Sequence, residues 1–149
     1  MPRLLVVHHT PSPTLQAVLE AVRDGVAMVE DVDLTVRPAL SAGAADLLAA
    51  DGVLLGTPAN IGYMSGALKH FFDTVFYVCA DDTKGLPYGL YVHGNLDTAG
   101  AITAVETIAG GLGWQRVAPP VEVRGQPDGA ARAAVAELAA TLAATVMPD

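Results

Sequence analysis

Thr10, Ser12 and Thr14 set three hydroxyls at alternate positions just before an amphipathic run, in a stretch with no Lys or Arg between Arg3 and Arg23. Hydroxyls and backbone N–H groups at a helix start can hold a phosphate, because the orphan N–H groups point at the anion and the helix dipole favours negative charge. A turn capped by a hydroxyl, with Pro11 and Pro13 as rigid members, fits the same residues. A second stretch, Gly56-Thr57-Pro58-Ala59-Asn60-Ile61-Gly62-Tyr63-Met64-Ser65-Gly66, is made of small and nearly uncharged residues that can bring bare backbone close to a flat ligand. A third, His93-Gly94-Asn95-Leu96-Asp97, places a Gly and an amide after another apolar run. Other chemistries are not supplied: no Ser-His-Asp arrangement or carboxylate pair stands out, and His8 and His9 are adjacent in an extended segment, so they point to opposite faces and suit no metal. Cys79 sits in an apolar helix tail beside Asp81 and Asp82, which oppose a thiolate, so a packed structural Cys is expected.

These loops need strands and helices to hold them. Val53-Leu54-Leu55 is the apolar run that a parallel sheet buries on both faces, and Leu68, Phe71, Phe72, Val75 and Phe76 repeat at helical spacing. Along the chain such runs alternate five times, with strands near 3–8, 33–37, 52–56, 88–93 and 115–123 and helices near 14–29, 42–50, 65–80, 98–112 and 129–146. Helix starts are marked by Ser12 or Thr14, then Ser41, Ser65, Thr98 and Asp128, and Gly110-Gly111-Leu112-Gly113 ends the fourth helix. The alanine-rich last helix presents a thin face suited to close packing on the sheet. Trp114 is expected in the core or as a plug at a helix end. Right-handed crossovers applied to five βα units predict one α/β domain over 1–149, three layers deep. Its five-stranded parallel sheet has the order 2-1-3-4-5, strands counted along the chain.

Ligands of such sheets bind at the carboxyl ends of the strands. The first loop has no Gly-x-Gly-x-x-Gly and the chain no Gly-Lys-Ser/Thr, which excludes a dinucleotide domain and a P-loop enzyme. A phosphoacceptor regulator needs acids after strand one and Asp after strand three, where this chain has His8-His9 and Gly56-Thr57.

Taken together, the first two loops resemble those of the flavodoxin-like flavoproteins, particularly the branch of NAD(P)H:quinone oxidoreductases and flavodoxin-type FMN reductases. The resemblance covers nearly the whole chain. The family's first loop reads roughly Ser-x-Thr-Gly-Asn-Thr; here Ser12 stands where Gly is usual and Pro13, which has no N–H to give, where Asn is usual. The second loop, with Gly-Thr-Pro, then Gly, Met-Ser-Gly and Leu-Lys-x-Phe-x-Asp, matches the family signature after strand three more closely. The resemblance implies that His9, Thr10, Pro11, Ser12, Pro13, Thr14 and Leu15 hold the FMN phosphate. It further implies that Thr57, Pro58, Ala59, Asn60, Ile61 and Gly62 line the flavin ring through main chain, and that His93, Gly94, Asn95 and Asp97 close its other edge. His93 faces either flavin or core, and a packing role is the commoner one for a single His at a strand end. The flavin then carries the chemistry, so no catalytic protein residue and no metal are required.

The leading expectation is a cytoplasmic FMN-dependent oxidoreductase that takes electrons from NAD(P)H and passes them to a quinone-like acceptor. A flavodoxin-type carrier serving a redox partner protein is the alternative, and a flavodoxin-fold binding domain without FMN a further one. The net charge of −8 and the lack of a Lys/Arg cluster argue against nucleic acid and suit docking to basic partners. No apolar run approaches the roughly 18 residues of a membrane span, and the start of the chain does not read as a signal peptide. With only one Cys a reducing compartment is expected, and the mean hydropathy of +0.40 makes a homo-oligomer the expected state.

Overall fold

A computed structural model of the chain describes residues 1–95 and 97–148. The strands are β1 (Arg3–His8), β2 (Asp33–Pro38), β3 (Gly52–Asn60), β4 (Tyr63–Met64), β5 (Pro87–Gly94), β6 (Gln115–Arg116) and β7 (Val121–Arg124). The helices are α1 (Pro13–Ala27), α2 (Ala44–Leu48), α3 (Gly66–Cys79), α4 (Ala99–Gly111) and α5 (Gly129–Thr145). β1 lies between β2 and β3, β3 pairs with β5, and all three pairings are parallel, with Leu5 opposite Thr35 and Val53 and Leu55 opposite Leu90. With β6 and β7 on the outer edge of β5, this is the order expected of a doubly wound sheet.

Alternation along the strands divides the core in two. Leu5, Val7, Val53, Leu55, Leu90 and Val92 pack with Leu68, Phe71, Phe72 and Val75 of α3 and with Ala101 and Val105 of α4. Leu4, Val6, Leu54 and Tyr91 pack with α1 and α5. The thin face of α5 does close tightly: a Cβ on Gly89 of β5 would stand 3.1 Å from a methyl of Leu138. Trp114 is buried and its Nε1–H donates to Thr83 Oγ1 at 2.9 Å. Cys79 is a buried free thiol, its pKa pushed up by burial and by the carboxylate of Asp82. Gly113, at φ +74°, ends α4 in a paired-bond turn in which the Trp114 N–H donates to Ala109 O at 3.0 Å. Among the described residues no helix is long and apolar enough to cross a membrane.

Several elements depart from expectation. The fifth strand is broken: β6 pairs with Pro87 and Tyr88, β7 with Tyr91 to Gly94, and the chain between them loops out at Pro119-Pro120. Proline has no N–H for the ladder, so consecutive prolines interrupt an edge strand. α2 is shorter than expected and starts after Gly43 instead of Ser41, because Asp46 reaches back and accepts the Gly43 N–H at 3.0 Å. Ser12, Ser65 and Asp128 do cap their helices, accepting from the N–H groups of Leu15, Leu68 and Ala131. Thr98 does not: its hydroxyl donates to Glu122, and Asp97 Oδ1 accepts the Ala99 N–H in its place.

Candidate functional site

The loop from β1 to α1 begins with His9, whose N–H donates to Gly56 O at 3.0 Å and so ties the first loop to the start of the second. Ser12 is the N-cap of α1, and its Oγ accepts the Leu15 N–H at 3.2 Å. Pro13 takes the first helical position, where its fixed φ suits the helix but where it removes one donor an anion could use. The N–H groups of Thr10, Ser12 and Thr14 meet no protein acceptor among the described residues. They lie in the loop that enters the positive end of α1, and unpartnered N–H groups at a helix start are the kind of donor a phosphate uses. Leu15 offers the site little, since its side chain is in the core and its N–H is held by Ser12. Beneath the loop, Nδ1 of His8 and Oγ1 of Thr10 are 2.7 Å apart, a hydrogen bond whose direction follows the imidazole tautomer. Burial first, then Arg23 and His9, pull the His8 pKa below its usual 6.5.

The second loop is a hairpin that the sequence did not reveal. β3 runs on to Asn60 and returns as β4, with Ala59 opposite Met64 and Asn60 opposite Tyr63. Ile61 at φ +51° and Gly62 at φ +70° make the two-residue connection, with the two positive φ values of a type I′ turn. Gly adopts that geometry freely, whereas a β-branched residue is strained there. Ile61 is also fully exposed, at 105 %. The base of the hairpin is clamped by Thr57, whose hydroxyl donates to Pro58 O at 2.7 Å and accepts the Ser65 N–H at 2.9 Å. Thr57 and Pro58 are thereby buried, Ala59 is half-buried, and Asn60, Ile61, Gly62 and Tyr63 present their atoms outward. Tyr63 therefore joins the accessible set.

The third loop follows β5. The Nε2–H of His93 donates to Gly125 O at 2.8 Å, so this ring ties β5 to the end of β7. A Cβ on Gly94 would stand 2.9 Å from Thr98 Cγ2 and 3.2 Å from Ala59 Cβ, so glycine lets this loop close on the hairpin. Asn95 and Asp97 are exposed, and Leu96 lies outside the described residues. The first turn of α4 touches the hairpin as well: a Cβ on Gly100 would stand 1.9 Å from the carbonyl oxygen of Gly62. Neither Gly100 nor the Thr98–Glu122 bond could be found from sequence, because both depend on how α4 and β7 approach the sheet.

The expected loops thus form a contiguous strip at the carboxyl edge of the sheet, joined by the His9–Gly56 bond and by the contacts of Gly94 and Gly100. Two concavities lie elsewhere, one of about 400 Å³ between the β1–β2 face and α2, another of about 410 Å³ between the outer faces of α1 and α5. Neither collects a loop residue. What the strip offers is a set of unpartnered N–H groups near the start of α1 and, beside it, the exposed hairpin tip Asn60-Ile61-Gly62-Tyr63, an arrangement that a flat ligand carrying a phosphate could use.

Comparison with known proteins bears on the fold. No family model matches the chain. A flavodoxin of Aquifex aeolicus (strain VF5) is 32 % identical over 75 residues, which is 50 % of this chain and 40 % of that protein. Among solved structures, a flavodoxin from the domain Archaea superposes with a TM-score of 0.83 at 17 % identity, covering 97 % of this chain and 98 % of its own. A short-chain flavodoxin associated with a non-canonical PDU bacterial microcompartment gives 0.81 at 20 % identity, covering 99 % of this chain and 100 % of its own. The flavodoxin, WrbA-like protein from Agrobacterium tumefaciens gives 0.78 at 17 % identity and covers 98 % of each chain. The chain has a flavodoxin-like α/β fold.

Proposed function

We propose that this protein binds FMN and works as an electron carrier of the flavodoxin kind. The observation that carries the reading is the conjunction at the carboxyl edge: free N–H groups in the loop that enters α1, beside a hairpin whose tip, Asn60 to Tyr63, is exposed and rests on α4 through the Gly62 carbonyl. Similarity to flavodoxins supports the carrier better than the NAD(P)H oxidoreductase that the sequence put first. FMN supplies the electron storage when bound, and the chain supplies position and electrostatics. In this reading Thr10, Ser12 and Thr14 hold the phosphate through N–H and hydroxyl groups. Asn60, Ile61 and Gly62 offer main chain to the ring, Tyr63 offers it an aromatic face, and Gly94, Asn95 and Asp97 bound its far edge. Thr57, Pro58 and His93 position these loops from behind. The net charge of −8 gives the carrier a field that steers it to basic redox partners.

The test is a titration of the purified chain with FMN followed by absorbance, then addition of NADH or NADPH. Binding at micromolar concentration, with no turnover of either nicotinamide, is the expected result. Absence of bound flavin overturns the reading, and rapid nicotinamide oxidation with a quinone restores the oxidoreductase in its place.

A further inference from the structure

His8 is the last residue of β1 and only 8 % exposed, yet it reaches the first loop through the 2.7 Å contact between its Nδ1 and Thr10 Oγ1. Pro11 and Pro13 of that loop have no N–H to give, so its donors are the N–H groups of Thr10, Ser12 and Thr14 and their hydroxyls. Among the hydroxyls, Thr10 is the one whose direction a buried ring sets. A hydroxyl has one proton to give. If Thr10 gives it to Nδ1, only lone pairs are left for an anion, which repels them. If Nδ1 carries the proton and donates to Oγ1, the Thr10 proton is free to point outward.

We propose that His8 is a positioning residue for the flavin phosphate: in the bound state its Nδ1–H donates to Thr10 Oγ1 and turns the Thr10 hydroxyl proton onto a phosphate oxygen, and a proton gained from solvent at Nε2 tightens that hold. The inference rests on the FMN reading above and names the part of the ligand that His8 serves, the phosphate monoester and not the ring.

The groups around His8 fix the sign of the effect. Burial first, then Arg23 of α1 and the neighbouring His9, oppose its protonation, so without an anion the neutral ring is favoured. In register across the sheet stand Pro38 of β2, Gly56 of β3 and, beyond it, Tyr91 of β5; burial keeps the Tyr91 hydroxyl protonated. A phosphate dianion at the start of α1 offsets the repulsion from Arg23 and His9 and favours the imidazolium. Binding then takes up a proton, and by linkage affinity rises as pH falls.

Dissociation constants of the full chain for FMN and for riboflavin, measured between about pH 8 and about pH 6.5, test this above the second phosphate pKa of about 6. FMN binding is expected to tighten about threefold over that window, and riboflavin binding to stay flat. His8→Asn keeps an N–H at the place of Nδ1 without titrating, so its FMN affinity should no longer change with pH. His8→Leu should weaken FMN about tenfold, the scale of a hydrogen bond to a charged group, and leave riboflavin unchanged. A pH-independent FMN affinity in the parent, the same pH dependence in His8→Asn, or equal losses of FMN and riboflavin in His8→Leu would overturn the inference while leaving FMN binding intact. If neither flavin binds, the FMN reading fails and this inference falls with it.

Discussion

The loop after β1 and the hairpin after β3 stand on neighbouring strands at one edge of the sheet, yet they are built of different material. The first loop is a set of side-chain hydroxyls around a helix start, and in the free protein two of the three already have partners: Ser12 with Leu15, Thr10 with His8. The hairpin is main chain held in an unfavourable shape, with Ile61 in the left-handed region and Gly62 pressed by its carbonyl against Gly100. A site made of hydroxyls adjusts by rotating bonds, at the cost of hydrogen bonds exchanged. A site made of backbone is fixed by what packs behind it. The first should therefore tolerate substitutions that the second does not.

The contact behind the hairpin gives the largest expected effect. Gly100→Val sets a side chain where the Gly62 carbonyl lies 1.9 Å from an ideal Cβ. It should destabilise the fold by about 3 kcal/mol in urea unfolding and weaken FMN binding sharply. A wild-type stability and affinity would show that the hairpin does not depend on α4. Next comes Thr57→Val, which keeps the shape of the side chain but leaves the buried Ser65 N–H without its acceptor. About 2 kcal/mol of stability should be lost, read from the shift of the unfolding midpoint. The first loop predicts less: Ser12→Ala removes the N-cap of α1 and should cost about 1 kcal/mol, with FMN affinity falling by a smaller factor than in Gly100→Val. The mildest change is a gain. Ile61→Asn places Asn-Gly in the type I′ turn and removes a strained β-branched residue without uncovering anything packed, so thermal unfolding should report about 1 kcal/mol of added stability. An unchanged or lowered melting temperature would mean that Ile61 has partners that hide its strain.

The same contrast explains what could be read from the chain alone. The strand through Val53-Leu54-Leu55 and the helix through Phe76 are legible because burial on both faces and helical spacing leave periodic traces. Ser12, Ser65 and Asp128 were legible as caps because a cap is a local matter of one oxygen and an N–H three residues on. The second helix start was misread because Asp46 caps from inside the helix while Ser41 offered a familiar signal outside it. The hairpin was hidden because its turn begins with Ile61, a residue type that avoids positive φ, and because β4 is too short to show alternation. Pro119-Pro120 mark the break in the last strand, but Val117 and Ala118 before them and Val121 and Val123 after them let the segment read as one strand. Sequence alone shows His8 only as one of two adjacent histidines in an extended segment. Its link to Thr10 depends on the path of the loop, which proline spacing alone does not determine.

One contact far from the site bears on how the chain reaches this structure. Where α1 crosses α5, a Cβ on Gly25 would stand 2.1 Å from the carbonyl oxygen of Ala136, so the two helix backbones meet with no side chain between them. The apolar stripe of α1, with Val18, Leu19 and Val22, is covered on that side by residues from α5, nearly the whole length of the chain away. Contacts of such separation form late, because the intervening chain must be ordered before they repay it. During synthesis α1 would wait for α5, and until then the α5 side of that stripe stays uncovered.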